Sequence, residues 1–232
     1  SRRIVTSNKQ KQMVMKRELG FKGERFIYLP LSILEQMEKN PLTGDLYIYS
    51  LGYFTKAAFH YIERLNGCDQ YLLIYCKDGK GHVRIQDRQY ELSADQYIIL
   101  PPHIYHQYEA DEKDPWMYIW VGFAGERAEE YVKSMGISPR HPVFHSEQSD
   151  ELYSIVRDMM DHNTVGVANE LRRNGLLHIF LSVVAQSMPE ERREETDRAN
   201  QYVRRAVEFI QRNYCNPIRV TDVADYVCVN RS

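Results

Sequence analysis

The hydrophobic pattern in the middle of the chain predicts a series of short strands. Between residues 45 and 123, the segments DLYIYSLGY, QYLLIYC, GHVRIQ, QYIIL and WMYIWVGF are rich in Tyr, Ile, Leu and Val, and turn residues separate them. The pair Asp78-Gly79, followed by Gly81, is typical of a hairpin turn. Because no helical pattern lies between these segments, we expect a barrel or a sandwich rather than a sheet built from βαβ units.

A helical period replaces this pattern on both sides of the strands. Ser32 and Glu35 have the spacing of a capping box and predict a short helix that ends at Asn40-Pro41. Three further helices are predicted at 126–135, closed by Gly136, at 149–162 and at 167–188. The last of these is apolar around nearly its whole circumference, so we expect a second subunit to cover part of it.

The C-terminal part of the chain has a different pattern. Residues 189–198 (PEERREETDR) contain no core-forming side chain and predict a solvated linker. Apolar residues then recur at helical spacing from Val203 to Tyr214, Asn216-Pro217 ends that helix, and a second short helix follows. Two short helices bury little apolar surface by themselves, so we expect this unit to continue beyond Ser232.

Composition and charge narrow the class of protein. The chain has 232 residues, of which 43% are hydrophobic and 27% charged, and it contains no apolar run near the length of about 18 residues that a membrane span needs. Residues 198–232 contain six arginines and three acidic residues, whereas the remainder holds 24 basic and 29 acidic residues. A basic C-terminal segment on an acidic body indicates a nucleic-acid partner there.

The cysteines and the N-terminal sequence predict a cytoplasmic protein. The four cysteines form no C-x-x-C pair and no dense framework, which is typical of reduced thiols in a reducing compartment. The first 17 residues are charged and lack the apolar segment of a signal peptide.

Three segments resemble one family of regulators. The tail YVRRAVEFIQRNYCNPIRVTDVADYVCVNRS is similar to the start of the DNA-binding domain of AraC-type transcription regulators. The segments LPPHIYHQY and PWMYIWVGF resemble the sensor domain of the arabinose-responsive members. The resemblance implies a mainly β fold with α: a cupin-like double-stranded β-helix (jelly-roll) barrel, a helical dimerisation hairpin and the start of an all-α helix-turn-helix domain.

The same resemblance implies an order of regions along the chain. We expect an N-terminal arm at 1–31, a ligand-sensing barrel at 32–124, a helical dimerisation region at 125–188, a linker at 189–198 and a truncated helix-turn-helix domain at 199–232. In arabinose-type regulators the arm folds over the bound sugar, and we expect a similar role for it here, unless it is only a disordered leader.

The ligand site implied by the resemblance lies inside the barrel. Trp120 matches the stacking tryptophan of the sensor motif, Tyr108 a pocket tyrosine and Arg64 a pocket arginine. Tyr118 precedes Trp120 by two residues and therefore faces the same way on a strand, and His106 is a further candidate. An aromatic face and charged or amide groups are what a sugar needs from a pocket. We therefore expect a small polar effector, a sugar, unless these aromatic residues only fill the core.

The expected function is ligand-controlled transcription by a homodimer. The helix at 167–188 would pair two protomers, with Leu171, Leu177 and Val184 at the interface. In the full-length protein the partner would be operator DNA, whose phosphates would be contacted by Arg204, Arg205, Arg212 and Arg219, while base-reading residues would lie beyond residue 232.

An alternative of another class is a metal-dependent cupin enzyme acting on a sugar or a small acid. The candidate ligands are His60, Glu63 and His106, but the H-x-H pair of such enzymes is absent. No G-x-S-x-G motif or glycine-rich phosphate loop is present either, so we expect no catalytic residue, no metal and no cofactor. A third interpretation is a dimerising module whose barrel is completely filled.

The resemblance is imperfect at two turns. Ala94-Asp95-Gln96 lacks the glycine that is common before the second cupin motif, and His103 stands where that motif usually has glycine.

Overall fold

Two antiparallel sheets form the centre of the protein, whose structure is a computed structural model that describes residue 19 and residues 21–137, 142–187 and 190–227. The strands are β1 (Arg25–Tyr28), β2 (Tyr47–Phe54), β3 (Tyr61–Arg64), β4 (Tyr71–Asp78), β5 (Lys80–Ile85), β6 (Arg88–Ser93), β7 (Gln96–Leu100), β8 (His106–Ala110), β9 (Met117–Ala124) and β10 (Val143–His145). The larger sheet has the order β1-β2-β9-β4-β7-β10, and the smaller sheet has the order β3-β8-β5-β6.

Six helices accompany the sheets in the described part of the chain. They are α1 (Leu31–Lys39), α2 (Ala128–Ser134), α3 (Ser149–Asp161), α4 (Val167–Ala185), α5 (Glu190–Asn213) and α6 (Val220–Val227). None of these described helices combines the length and the apolar character needed to span a bilayer. The predicted fold class, a cupin-like barrel followed by helices, is confirmed.

The larger sheet has a buried core on each of its faces. One face packs against the helices, and we call the apolar cluster there the helix-facing core. The other face packs against the smaller sheet and forms the barrel core. Strand β9 shows the division, because successive side chains alternate: Ile119 and Val121 belong to the helix-facing core, and Tyr118 and Trp120 belong to the barrel core.

Helix α4 packs its apolar side against the helix-facing core, and this overturns part of the predicted interface. Leu177 and Val184 are fully buried there within the single chain, so a second subunit cannot reach them. Leu171 is half exposed, as is Ile179 on the same helix. An all-round apolar sequence predicts two buried sides, but it does not say which side faces the chain's own sheet.

The Asp78-Gly79 turn forms, but it does not make the predicted hairpin. Gly79 has a φ of 70°, which suits a tight turn. Strand β4 pairs with β7 and β9, whereas β5 pairs with β6 and β8. The turn therefore carries the chain from the larger sheet to the smaller one.

The first helix begins earlier than its predicted capping box. Helix α1 starts at Leu31, and the backbone N–H groups of Ile33 and Leu34 donate to the carbonyl of Pro30. No side chain caps this end, so Ser32 lies in the first turn and the capping-box prediction is wrong. The predicted stop is correct, since the helix ends at Lys39.

The chain divides into two compact units, residues 1–187 and 188–232. In the second unit α5 and α6 pack through Phe209 and Tyr226, whose ring centroids are 4.9 Å apart. The segment that we expected to be a solvated linker is helical from residue 190 onward, as the beginning of α5. The predicted arm lies largely outside the described residues, apart from residues 19 and 21–31.

Candidate functional site

Three of the predicted ligand residues meet at one end of the barrel core. Arg64 on β3 lies opposite His106 on β8 in the antiparallel register. Its Nη1 lies 3.3 Å from His106 Nε2 and donates to the Tyr108 hydroxyl at 3.2 Å. The guanidinium carbon also lies 5.9 Å from the centroid of the Tyr108 ring. The sheet register thus brings together residues that are up to 44 positions apart in sequence.

His106 is neutral in this arrangement, and its tautomer follows from its contacts. Its Nδ1 lies 3.0 Å from the carbonyl oxygen of Ile104, which can only accept, so Nδ1 carries the proton. Nε2 is then the acceptor for Arg64. The pKa of His106 is lowered to about 4, chiefly by burial and with a contribution from the charge of Arg64, against the opposing effect of the Ile104 bond.

Tyr118 and Trp120 continue the cluster along β9. The Tyr118 hydroxyl lies 3.2 Å from Nε2 of the buried His60. Trp120 packs against Phe54 and Phe26, with ring centroids 5.0 Å and 6.4 Å away. Burial raises the pKa of Tyr118 far above its usual value, so its hydroxyl keeps the proton at neutral pH.

Gly52 makes room for the Trp120 ring. The two residues are partners in the β2–β9 register. A Cβ added to Gly52 would lie 2.5 Å from the outermost carbon of the indole, a distance that real contacts do not reach. The glycine is therefore required here for space.

One residue of this cluster was missed at the level of sequence. Trp116 is fully buried, its ring centroid lies 4.5 Å from that of Tyr118, and its Nε1 has no hydrogen-bond partner among the residues that the structure describes. It precedes Tyr118 by two residues, just as Tyr118 precedes Trp120, so strand alternation was the signal that could have found it.

The candidate metal ligands are not brought together. Ile62 and Arg64 face the barrel, so the alternation of β3 places Glu63 on the outer face, where its carboxylate accepts from the hydroxyls of Tyr61 and Tyr105, each at 2.9 Å. In the described part of the chain, no group of three His, Cys, Asp or Glu side chains is placed to hold a metal ion. The geometry therefore gives no support to the metalloenzyme alternative.

The two turns that depart from the family pattern keep a glycine-like backbone. Asp95 has a φ of 64° and His103 a φ of 58°, both in the left-handed region. Asp and His enter this region more readily than most residues do, so the turns form without glycine.

The four arginines proposed for DNA lie in the second unit, in different surroundings. Arg205 donates to the carbonyl of Tyr226 at 3.1 Å, and Arg212 pairs with Glu208 at 2.6 Å. Arg204 and Arg219 are exposed. Two of the four are therefore already engaged within their own unit.

The fold and its interior define a cupin-like barrel domain with aromatic and hydrogen-bonding side chains grouped inside. Residues 47–198 match the family described as the AraC-like ligand binding domain, which is more than half of the chain. The chain belongs to this family.

Several regulators are similar to the chain. The Msm operon regulatory protein of Streptococcus mutans is 30% identical over 167 residues, which cover 71% of this chain and 60% of that protein. The MmsAB operon regulatory protein of Pseudomonas aeruginosa is 35% identical over 112 residues, 47% of this chain and 36% of that protein. The lactose operon transcription activator of Staphylococcus xylosus is 24% identical over 156 residues, 66% of this chain and 56% of that protein.

The chain thus spans between about one third and three fifths of the length of these relatives. Among solved structures, the AraC-like transcriptional activator CuxR aligns with a TM-score of 0.40 at 12% identity, over 81% of this chain and 68% of that one.

Proposed function

We propose that the chain is the sensing part of a transcription regulator that binds a sugar inside its barrel and responds by changing how a homodimer presents its DNA-binding helices. Three of the relatives are named as operon regulators, and one of them is a lactose operon activator. These names describe regulators rather than enzymes, in agreement with the expectation that the chain is not an enzyme.

The observation that carries the proposal is the composition of the barrel core. Trp120 offers an aromatic face for the C–H side of a sugar ring, and Arg64, Tyr108 and Tyr118 offer groups that bind hydroxyls. Arg64 is half-buried, and a guanidinium beside an aromatic core is costly unless it has a partner to bind.

Strand β1 connects this site to the N-terminal part of the chain. Phe26 on β1 packs against Trp120, and β1 forms the edge of the larger sheet beside β2. A ligand that moves Trp120 would therefore also displace β1. We propose that this strand, which lies within the predicted arm, responds to occupancy of the barrel.

We propose that the exposed side of α4 pairs two protomers. Val167, Leu171 and Ile179 lie on one stripe of the helix with a spacing of four or eight residues, and all three are at least half exposed. Gly175 lies on the same stripe, and nothing is within 4 Å of a Cβ added there, so a second helix could approach closely. The corrected interface keeps Leu171 and replaces Leu177 and Val184 by Gly175 and Ile179.

The proposed DNA contacts belong to the second unit. Arg204 and Arg219 are available to phosphates, while Arg205 and Arg212 would have to leave Tyr226 and Glu208.

The test is a thermal-shift panel of mono- and disaccharides, run with and without EDTA. A ligand at 100 times its dissociation constant adds about 2.7 kcal/mol to the stability of the folded state, so binding raises the Tm measurably. We expect a sugar-specific rise that EDTA does not change. Trp120→Phe is the test variant, since it keeps the barrel filled but reduces the stacking face. It should lower the affinity for the sugar about tenfold.

Other outcomes would contradict the proposal in different ways. A response that EDTA abolishes would favour the metal-dependent alternative. The absence of a response to any sugar would favour the completely filled barrel.

A further inference from the structure

Arg64 uses only one of its nitrogens to bind the protein. Both of its side-chain hydrogen bonds, to His106 and to Tyr108, come from Nη1. Nη2 and Nε have no hydrogen-bond partner among the residues that the structure describes. These two nitrogens form one edge of the guanidinium, and their parallel N–H groups match the two oxygens of a carboxylate or a phosphate.

The charge of Arg64 is also unmatched by its neighbours. His106 is neutral, and burial raises the pKa of Tyr108 to about 12 and that of the Cys68 thiol above its usual value. The Tyr108 hydroxyl and the Cys68 thiol therefore keep their protons at neutral pH and carry no negative charge.

Within the described residues no carboxylate forms an ion pair with Arg64. Glu63, next in sequence, points to the outer face, and the Glu24 carboxylate accepts from the backbone N–H of Phe21 at 2.9 Å.

A second unused donor lies in the same core. Within the described part of the chain Trp116 Nε1 is buried without a partner, and the indole ring centroid is 6.4 Å from that of Tyr108, whose hydroxyl accepts from Arg64. Unpaired buried donors are rare because each costs about 1–3 kcal/mol. Trp116 is therefore a second group near Tyr108 to which the described residues supply no acceptor.

From these contacts we infer that the effector of this barrel carries a carboxylate or phosphate group, which Arg64 binds through Nη2 and Nε. This inference rests on the proposed function, because it names the chemical class of the ligand for the same site. A neutral sugar could use the aromatic face of Trp120, but it would leave the charge of Arg64 without a counter-ion. A sugar acid or a sugar phosphate would use both.

The experiment compares three probes that differ in one group: galactose, galacturonate and galactose 6-phosphate. Binding to the full chain is measured by isothermal titration calorimetry at 50 and 300 mM NaCl. We expect one of the two anionic probes to bind at least tenfold more tightly than galactose, with an affinity that falls as salt increases. The two anionic probes separate a carboxylate site from a phosphate site.

Two variants test the role of Arg64 itself. Arg64→Gln removes the charge and should weaken the anionic probe about 30- to 100-fold, because two charge-assisted hydrogen bonds are lost. Arg64→Lys keeps the charge but cannot form the bidentate pair of hydrogen bonds. It should weaken binding of the anionic probe less than Arg64→Gln does. Both variants should weaken galactose less than they weaken the anionic probe, because galactose loses only hydrogen bonds to Arg64 and no ion pair. If Arg64→Gln does not fold, Arg64→Lys and the salt dependence of the unsubstituted chain decide the question.

The possible failures are distinguishable. If galactose binds as tightly as both anions, the inference is wrong and the proposed sugar-sensing function stands. If the anion binds but Arg64→Lys and Arg64→Gln leave its affinity unchanged, Arg64 is not the anion-binding residue. If no probe binds here and no sugar of the wider panel shifts the Tm, the proposed function fails as well.

Discussion

The two faces of the larger sheet are equally buried but chemically different. The helix-facing core is built mainly from aliphatic and aromatic side chains, and several of its polar groups bind the backbone: Tyr97 donates to the carbonyl of Val184 at 3.2 Å, Tyr75 to that of Ser146 at 2.7 Å, and Nη1 of the buried Arg173 to that of Thr164 at 3.2 Å. Tyr75 also donates to the Asp95 carboxylate, and Nε of Arg173 has no partner among the described residues. The barrel core contains the indole N–H of Trp116, which is unpaired among the described residues, and the half-buried guanidinium of Arg64 binds Tyr108 there.

This difference separates the structural from the functional side of one sheet. Side-chain groups that donate to backbone carbonyls hold helices and strands together, and they need no hydrogen-bond partner from a ligand. An unmatched charge and an unpaired donor cost stability unless a ligand completes them. We therefore expect substitutions on the helix-facing side to change the free energy of unfolding, and substitutions on the barrel side to change ligand binding.

The largest expected effect is on the helix-facing side. Leu177→Glu places a charge in a fully buried apolar position and should lower the free energy of unfolding by about 4 kcal/mol or more. Urea unfolding followed by circular dichroism measures this change.

Leu171→Glu, six residues earlier on the same helix, is the matched control. Leu171 is half exposed, so the free energy of unfolding of one protomer should change by no more than about 0.5 kcal/mol. The dimer should dissociate, which sedimentation velocity would detect. A well-folded monomer from Leu177→Glu would show that the two sides of α4 have been assigned the wrong way round.

The sequence predicted those strands whose burial is visible in their composition. Strands β2, β4 and β9 are buried along most of their length and are correspondingly rich in apolar residues. Strands β3 and β6 were missed because one of their faces is exposed and carries charged residues such as Glu63 and Glu91. Strands β1 and β10 are edge strands of four and three residues, too short to show a period.

The candidate site was predicted only as a set of residue types. Strand alternation placed Tyr118 and Trp120 on one face, but the contact of Arg64 with His106 and Tyr108 depends on the pairing of β3 with β8. That register is set by packing across the whole barrel, so local patterns do not encode it. The same reason explains the wrong hairpin prediction at Asp78-Gly79. The local sequence determines the turn there, whereas long-range packing determines which sheet each strand joins.

A smaller effect is expected from pH, and it tests the barrel side. The pKa of His106 is lowered to about 4 in the folded chain, whereas an unfolded histidine has a pKa near 6.5. Between these values the unfolded state binds more protons, so the free energy of unfolding should fall as the pH drops from about 6.5 to 4. We expect this histidine to contribute about 1–2 kcal/mol of that fall after allowance for solvent screening.

The measurement is urea unfolding at pH 7, 5.5 and 4.5 for the unsubstituted chain and for His106→Gln. The difference between the two proteins isolates His106 from His60, which is buried in the same core, and from the surface carboxylates. Equal pH dependence in both proteins would mean that His106 is protonated as easily in the folded chain as in the unfolded one.

The smallest expected effect gives the sharpest comparison, because it removes one hydroxyl from each side of the sheet. Tyr118→Phe deletes the contact with His60, and Tyr97→Phe deletes the bond to the Val184 carbonyl. Each variant should lower the free energy of unfolding by about 0.5–1.5 kcal/mol, the usual contribution of one hydrogen bond. Only Tyr118→Phe should also weaken ligand binding, by about two- to tenfold, since its hydroxyl belongs to the barrel core. Calorimetric titration with the tightest-binding of the three probes decides this. An equal loss of affinity in Tyr97→Phe would mean that the two cores are not functionally separate, because disturbance of the helix-facing side would then reach the site through the sheet.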